Sequence, residues 1–98
     1  MMSAAMEVNI VSATRPVWKG EAKSVTVPAY AGGMGILPDH EPVLTVIKEG
    51  TVIVTKPEGG KLSFEVTDGF ISFDSNKLTV VVEQARSLEN VQRDVDII

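Results

Sequence analysis

The chain's one histidine, His40, lies between Asp39 and Glu41 in the segment Gly35-Ile36-Leu37-Pro38-Asp39-His40-Glu41-Pro42. An imidazole flanked by carboxylates has the groups of a general base or of a metal site. The spacing argues against both. Side chains of consecutive residues in an extended chain point in opposite directions, so three neighbours do not converge on one ion. No second cluster completes a metal site, and the nucleophile and orienting partner of a triad are missing. The preceding Gly32-Gly33-Met34-Gly35 has no Lys-Ser/Thr after it and sits among strand patterns, so it reads as a bulge or a close backbone approach rather than a phosphate loop. No catalytic, metal-ligating or cofactor-binding residue is expected. Pro38 and Pro42 each bias the residue before them to an extended conformation. They frame a stiff loop that presents Asp39, His40 and Glu41 outward. Such pre-organisation lowers the entropy cost of docking, which suits recognition.

The elements that must carry this loop follow a period of two. Met6, Val8 and Ile10 alternate with Glu7 and Asn9, and Val25 and Val27 with Ser24 and Thr26. The same holds for Val52 and Val54, for Leu62, Phe64 and Val66, and for Leu78, Val80 and Val82. Each set gives one buried and one more exposed strand face. Turn signals separate them: Trp18-Lys19-Gly20-Glu21, Lys48-Glu49-Gly50, Pro57-Glu58-Gly59-Gly60, Asp68-Gly69 and Asp74-Ser75-Asn76. Asp68-Gly69 carries the residue types of a tight hairpin. Many short strands with regular turns predict an all-β sandwich of two sheets, because the apolar faces are too many for one sheet to hide. Trp18, Phe64, Phe70 and Phe73 read as core or sheet-face residues, since stacking platforms for bases would need basic neighbours. Leu88, Val91, Val95 and Ile98 fall at helical spacing. At most one short carboxy-terminal helix is expected there, and a helix so short must dock on something or fray.

The 98 residues suit one domain. We place the sandwich at residues 1–87, with 88–98 as a short tail. There are no cysteines, so disulfides and thiolate zinc sites are excluded. Nine Lys and Arg stand against thirteen Asp and Glu, for a net charge of −4. The charges are scattered and form no basic stripe, which disfavours nucleic acid and anionic membranes as partners. No run approaches the roughly 20 apolar residues of a membrane-spanning helix, so direct membrane insertion is not expected.

Gly35-Ile-Leu-Pro-Asp-His-Glu-Pro-Val-Leu-Thr45 resembles the signature of the ε subunit of F-type ATP synthase. The similarity extends to Met6-Glu-Val-Asn-Ile-Val-Ser12, Trp18-Lys-Gly-Glu21, Gly50-Thr-Val52, Asp68-Gly-Phe70, Asn76-Lys-Leu-Thr-Val-Val-Val82 and Ala85-Arg86. It covers nearly the whole chain, with the motifs in order. The resemblance implies a ten-stranded β-sandwich, the amino-terminal domain of a central-stalk subunit. It implies two partners, the γ subunit and the membrane ring of c subunits, and a role in transmitting ion-driven rotation to catalytic sites elsewhere. It places the subunit peripherally on the cytoplasmic face of a bacterial plasma membrane. A free-standing binding module and a small hydrolase using His40 are the competing readings.

By residue, the resemblance puts the loop around Gly33 and Met34 toward the c-ring. Family members commonly carry a carboxylate at the position of Gly33. Asp39 and Glu41, flanking His40, are expected to restore that negative charge and join the c-ring-facing set. His40, Pro42, Leu44 and Thr45 match the segment that meets γ. Exposed apolar positions such as Val11 and Val81 are further candidates for interface. Family members usually continue into a helical hairpin that extends along γ and in some members binds ATP. From these 98 residues neither ATP binding nor extended-arm inhibition is expected.

Overall fold

The computed structural model describes residues 4–88, and within them ten strands account for nearly all regular structure. They are β1 (Met6–Ser12), β2 (Pro16–Ala22), β3 (Ser24–Ala29), β4 (Gly32–Ile36), β5 (Val43–Ile47), β6 (Gly50–Thr55), β7 (Lys61–Val66), β8 (Gly69–Asp74), β9 (Lys77–Val82) and β10 (Ala85–Ser87). The strands are hydrogen-bonded in the order β10-β7-β6-β3-β5-β8-β9-β1-β2, with β4 on the far side of β3. All neighbours are antiparallel except β1 and β9, which run parallel with Glu7 opposite Lys77 and Ser12 opposite Val82.

This path folds over on itself into two layers, the expected ten-stranded β-sandwich. One layer holds β4, β3, β6, β7 and β10. The other holds β5, β8, β9, β1 and β2. They are joined at a corner where β3 meets both neighbours of the bend. Ser24–Thr26 pair with Thr55–Ile53 of β6, while Ala29 pairs with Ile47 of β5 and Lys48 N donates to the Pro28 carbonyl at 2.8 Å. Lys48-Glu49-Gly50 is therefore a corner at which one strand changes sheet, not a hairpin turn. On the opposite side the Trp18 ring of β2 lies 6.2 Å from the Phe64 ring of β7, bridging the layers.

The period-two pattern fills the space between. Met6, Val8 and Ile10 of β1, Ile71 and Phe73 of β8, and Leu78, Val80 and Val82 of β9 face Val25, Val27, Ile36, Val52, Val54, Phe64 and Val66 of the other layer, all at 3% exposure or less. Each such side chain contributes about 1.5–3 kcal/mol of transfer free energy when fully buried. No polar or charged residue among those described is buried.

Two further turn readings, and the reading of Gly32–Gly35 as a bulge or close backbone approach, need correction. Trp18-Lys19-Gly20-Glu21 runs inside β2. The turn comes earlier, where Ser12 N donates to the Arg15 carbonyl at 2.9 Å. Glycine at position 20 answers to packing, because a Cβ there would lie 2.7 Å from the Trp18 ring. Asp68-Gly69 is a crossover between layers rather than a hairpin, since β7 pairs with β6 and β10 while β8 pairs with β5 and β9. A Cβ at Gly69 would lie 1.9 Å from the Val81 carbonyl oxygen, so close backbone approach, not a turn, demands glycine there. Gly32-Gly33-Met34-Gly35 is a regular edge strand, and among its glycines Gly32 alone has positive φ, at 119°. Pro57–Gly60 and Asp74–Asn76 do close hairpins, β6–β7 and β8–β9. Of the residues at helical spacing, Leu88 donates its N–H to the Ser63 carbonyl at 2.9 Å. Val91, Val95 and Ile98, and with them the expected helix, lie outside the described residues.

Two glycine substitutions separate packing from propensity. Gly69→Ala should cost about 2–3 kcal/mol or more in urea unfolding, as overpacking against a backbone carbonyl that cannot retreat. Gly35→Ala, where a Cβ meets nothing within 4 Å, should change stability by less than about 0.5 kcal/mol. Equal effects at the two positions would contradict the crossover packing.

Candidate functional site: an apolar sheet face and the proline-framed loop beside it

The outer face of the β5-β8-β9-β1-β2 layer is ordered in rows, because cross-strand neighbours on one face stand side by side. Val46 is opposite Phe70, Phe70 opposite Val81, Val81 opposite Val11, and Val11 opposite Pro16 across a register shift. This row is apolar throughout. Val46 is 56% exposed and Phe70 42%. The next row contains Leu44, Ser72, Thr79, Asn9 and Lys19, and the last contains Asp74, Lys77, Glu7 and Glu21. The face thus grades from apolar through neutral to charged along the strands. In the charged row Lys77 Nζ lies 3.8 Å from Glu7 Oε1, an exposed pair worth about 0–1 kcal/mol.

The loop joining β4 to β5 lies at the charged end of this face, where β5 begins at Val43 opposite Phe73. His40 N donates to the Leu37 carbonyl at 3.1 Å, closing a four-residue turn. Pro38 occupies its second position and Asp39, with φ of 68°, its third, as in a type II turn where glycine usually stands. Asp39 N donates to Asn76 Oδ1 at 2.5 Å, and Asn76 Nδ2 donates to Asp39 Oδ1 at 2.9 Å. The loop is thereby fastened to the β8–β9 hairpin. The His40 ring meets Phe73 edge-on, with centroids 5.9 Å apart. Its Nδ1 lies 2.7 Å from the Glu41 carbonyl oxygen. That oxygen can only accept, so Nδ1 carries the proton.

The sequence-derived residues fall into three places. Asp39, His40, Glu41 and Pro42 share the loop, with Asp39, Glu41 and Pro42 exposed and His40 half-buried. Leu44 lies on the outer face at 73% exposure. Thr45 lies on the opposite side of β5, with Val43 and Ile47, so the two do not share a surface. Beyond Ile47, β5 pairs on one edge only, with β8, which leaves Thr45 beside the open edge. Gly33 and Met34 are on β4, Gly33 exposed opposite Pro28 and Met34 half-buried against the core. Next to them the two-residue hairpin Tyr30-Ala31 holds Tyr30 at 65% exposure, and Leu37 is 58% exposed at the start of the loop.

Sequence reasoning missed Val46, Phe70, Tyr30 and Leu37. A signal for the first two was present. The runs Val43-Leu-Thr-Val-Ile47 and Gly69-Phe-Ile-Ser-Phe73 carry large apolar residues on both faces, more than one buried face needs. Among the described residues no group of three or more His, Asp or Glu side chains is arranged to hold a metal ion, and no helix is long and apolar enough to cross a membrane.

Residues 5–87 match the family model described as ATP synthase, Delta/Epsilon chain, beta-sandwich domain. The chain is 38% identical over 90 residues to the ATP synthase epsilon chain of Streptomyces griseus, covering 92% of this chain and 73% of that one. It is 36% identical over 83 residues to the epsilon chain of Micrococcus luteus, covering 85% and 91%. The fold is similar to a chain in the Euglena gracilis mitochondrial ATP synthase, OSCP/F1/c-ring, with a TM-score of 0.86 at 18% identity, covering 97% of this chain and 61% of that one. A chain of the Tetrahymena thermophila mitochondrial ATP synthase central stalk and c-ring is similar with a TM-score of 0.72 at 16% identity, covering 96% and 75%. With an ordered set of motifs, a ten-stranded sandwich and relatives that match over most of its length, the chain belongs to the family of ATP synthase epsilon chains.

Proposed function

We propose that this domain is a non-catalytic central-stalk subunit that grips two partners, γ and the c-ring, in an F-type ATP synthase on the cytoplasmic face of a bacterial plasma membrane. The observation that carries the reading is the apolar row Val46–Phe70–Val81–Val11–Pro16 on the outside of a finished sandwich. The core is already filled by the inward faces, so this row serves no internal packing, and contiguous exposed apolar surface marks an interaction site. Leu44 stands in the next row, and the His40–Pro42 loop lies beyond it at the far end of the same face; both belong to the segment that the family resemblance assigns to γ.

The bacterial relatives support the assignment to the complex, and the fold relatives belong to mitochondrial ATP synthase assemblies described as F1 with c-ring and as central stalk with c-ring. On this reading γ covers the graded face, with Phe70 as its aromatic anchor. Thr45 contributes at the open edge of β5. The c-ring takes the β3–β4 hairpin with Gly33 and Met34, and the acidic loop with Asp39 and Glu41. No substrate is converted. The part played by the domain is mechanical, and a sandwich with a continuous hydrogen-bonded path suits the transmission of torque between two grips.

Two experiments test this. Val46→Ser with Phe70→Ser should change the unfolding free energy by no more than about 1 kcal/mol, since both side chains are exposed, yet weaken binding to γ by about tenfold or more, as loss of an aromatic anchor does. Retained co-purification of the double variant with γ would remove the apolar row as the grip. For the c-ring, Glu41→Lys is the clean probe, because Asp39 is already engaged by Asn76. It should weaken attachment to the ring by up to about fivefold at low salt and by less as salt rises. Attachment that is the same at every salt concentration would exclude the acidic loop from that contact.

A further inference from the structure

We propose that Asn76 is a positioning residue for the partner-facing loop, clasping the Leu37–His40 turn so that Asp39, His40 and Glu41 are held ready for docking. The inference rests on the reading of that loop as part of the grip. The clasp joins residues 37 apart in sequence through two bonds of opposite sense: the Asp39 amide donates to Asn76 Oδ1, and Asn76 Nδ2 donates to Asp39 Oδ1. A side-chain amide held at both its oxygen and its nitrogen has its plane fixed. The Asn76 carbonyl also accepts from the amide of Glu7 in β1 at 2.9 Å. One residue therefore binds the loop, the β8–β9 hairpin and the first strand.

Backbone conformation points the same way. The described non-glycine residues with positive φ are Asp39 at 68°, Ser75 at 53° and Asn76 at 58°, and all three belong to the two turns that the clasp joins. Left-handed backbone is costly for residues with a Cβ and least so for Asn and Asp. Glycine would close either turn with less strain, but at position 76 it would remove both bonds of the clasp and at position 39 the side-chain one. Asn and Asp here satisfy both demands. A loop of exposed residues between two prolines would otherwise lose freedom when a partner ordered it, and a clasp that orders it beforehand strengthens binding without touching the partner.

The test uses the full chain in three forms: unaltered, Asn76→Asp, and the exchange Asp39→Asn with Asn76→Asp. The single variant sets carboxylate against carboxylate and loses the Nδ2 donor. The exchange restores a donor and an acceptor between the same two side chains, in the reverse sense, with net charge unchanged from the natural chain. Glu41 and the apolar row are untouched in all three. In the single variant, hydrogen exchange of the amides at positions 39 and 40 should quicken by about tenfold, the effect of losing a hydrogen bond to a charged group, while core amides such as those of Val8 and Ile71 keep their protection. Binding of the single variant to a γ–c-ring subcomplex should weaken by about fivefold or more, and the exchange should restore the amide protection. The proposal is overturned if the amides keep their protection in the single variant, if the exchange fails to restore it, or if a loosened loop binds with unchanged affinity. Should the unaltered chain itself fail to bind the subcomplex, the partner assignment falls, and protection at positions 39 and 40 still decides whether Asn76 orders the loop.

Discussion

Each strand of this domain commits one face to the space between two layers, and strand pairing then settles what is left outside. The inward side chains of β1, β8 and β9 meet those of β3, β6 and β7 at near-zero exposure. Since the side-chain period along a strand is two, a shift of one residue in any ladder would turn that whole set outward. The register is held by burial. The outer rows, from apolar to charged, are the other half of the same constraint: once Ile71 and Phe73 point inward, Phe70, Ser72 and Asp74 must point out.

Closure of the sandwich depends on places where the backbone comes unusually near itself. At the β5–β6 corner a single chain serves both sheets, with Ile47 pairing to Ala29 and Ile53 to Thr26. At the β7–β8 crossover Gly69 lets β8 begin directly against the Val81 carbonyl. These contacts make the two layers one hydrogen-bonded body, with a path of strands running from β10 to β2. A body built this way has few internal joints, which fits the mechanical role proposed for it.

The loop between Pro38 and Pro42 sits at the margin of that body and is tied to it rather than left to sample. Prolines narrow the backbone at its two ends, His40 rests on the edge of the buried Phe73, and Asn76 holds the turn at Asp39. Residue types that suggest acid–base chemistry on paper are thus used for geometry. The imidazole Nδ1 is engaged by the carbonyl of Glu41, the next residue, and the Asp39 carboxylate by an amide.

The amino-acid sequence by itself determined the fold class, the inward residues and the family. The first two are local: alternation over five or six residues states which side chains share a face, and the strand and turn residues enforce it. The ordered motifs around Gly35–Thr45 carried the third. What lay beyond its reach was which strands become neighbours. Asp68-Gly69 has the composition of a hairpin turn, yet β7 and β8 lie in different layers, and glycine is needed there because of a carbonyl twelve residues away at Val81. Trp18–Glu21 has the composition of a turn, yet Gly20 lies in a strand beneath the Trp18 ring. The row from Val46 to Pro16 and the clasp from Asn76 to Asp39 likewise join residues far apart in the chain. Such juxtapositions exist only after the sheets have paired and folded over, because pairing is set by the summed burial of all ten strands and not by any one of them.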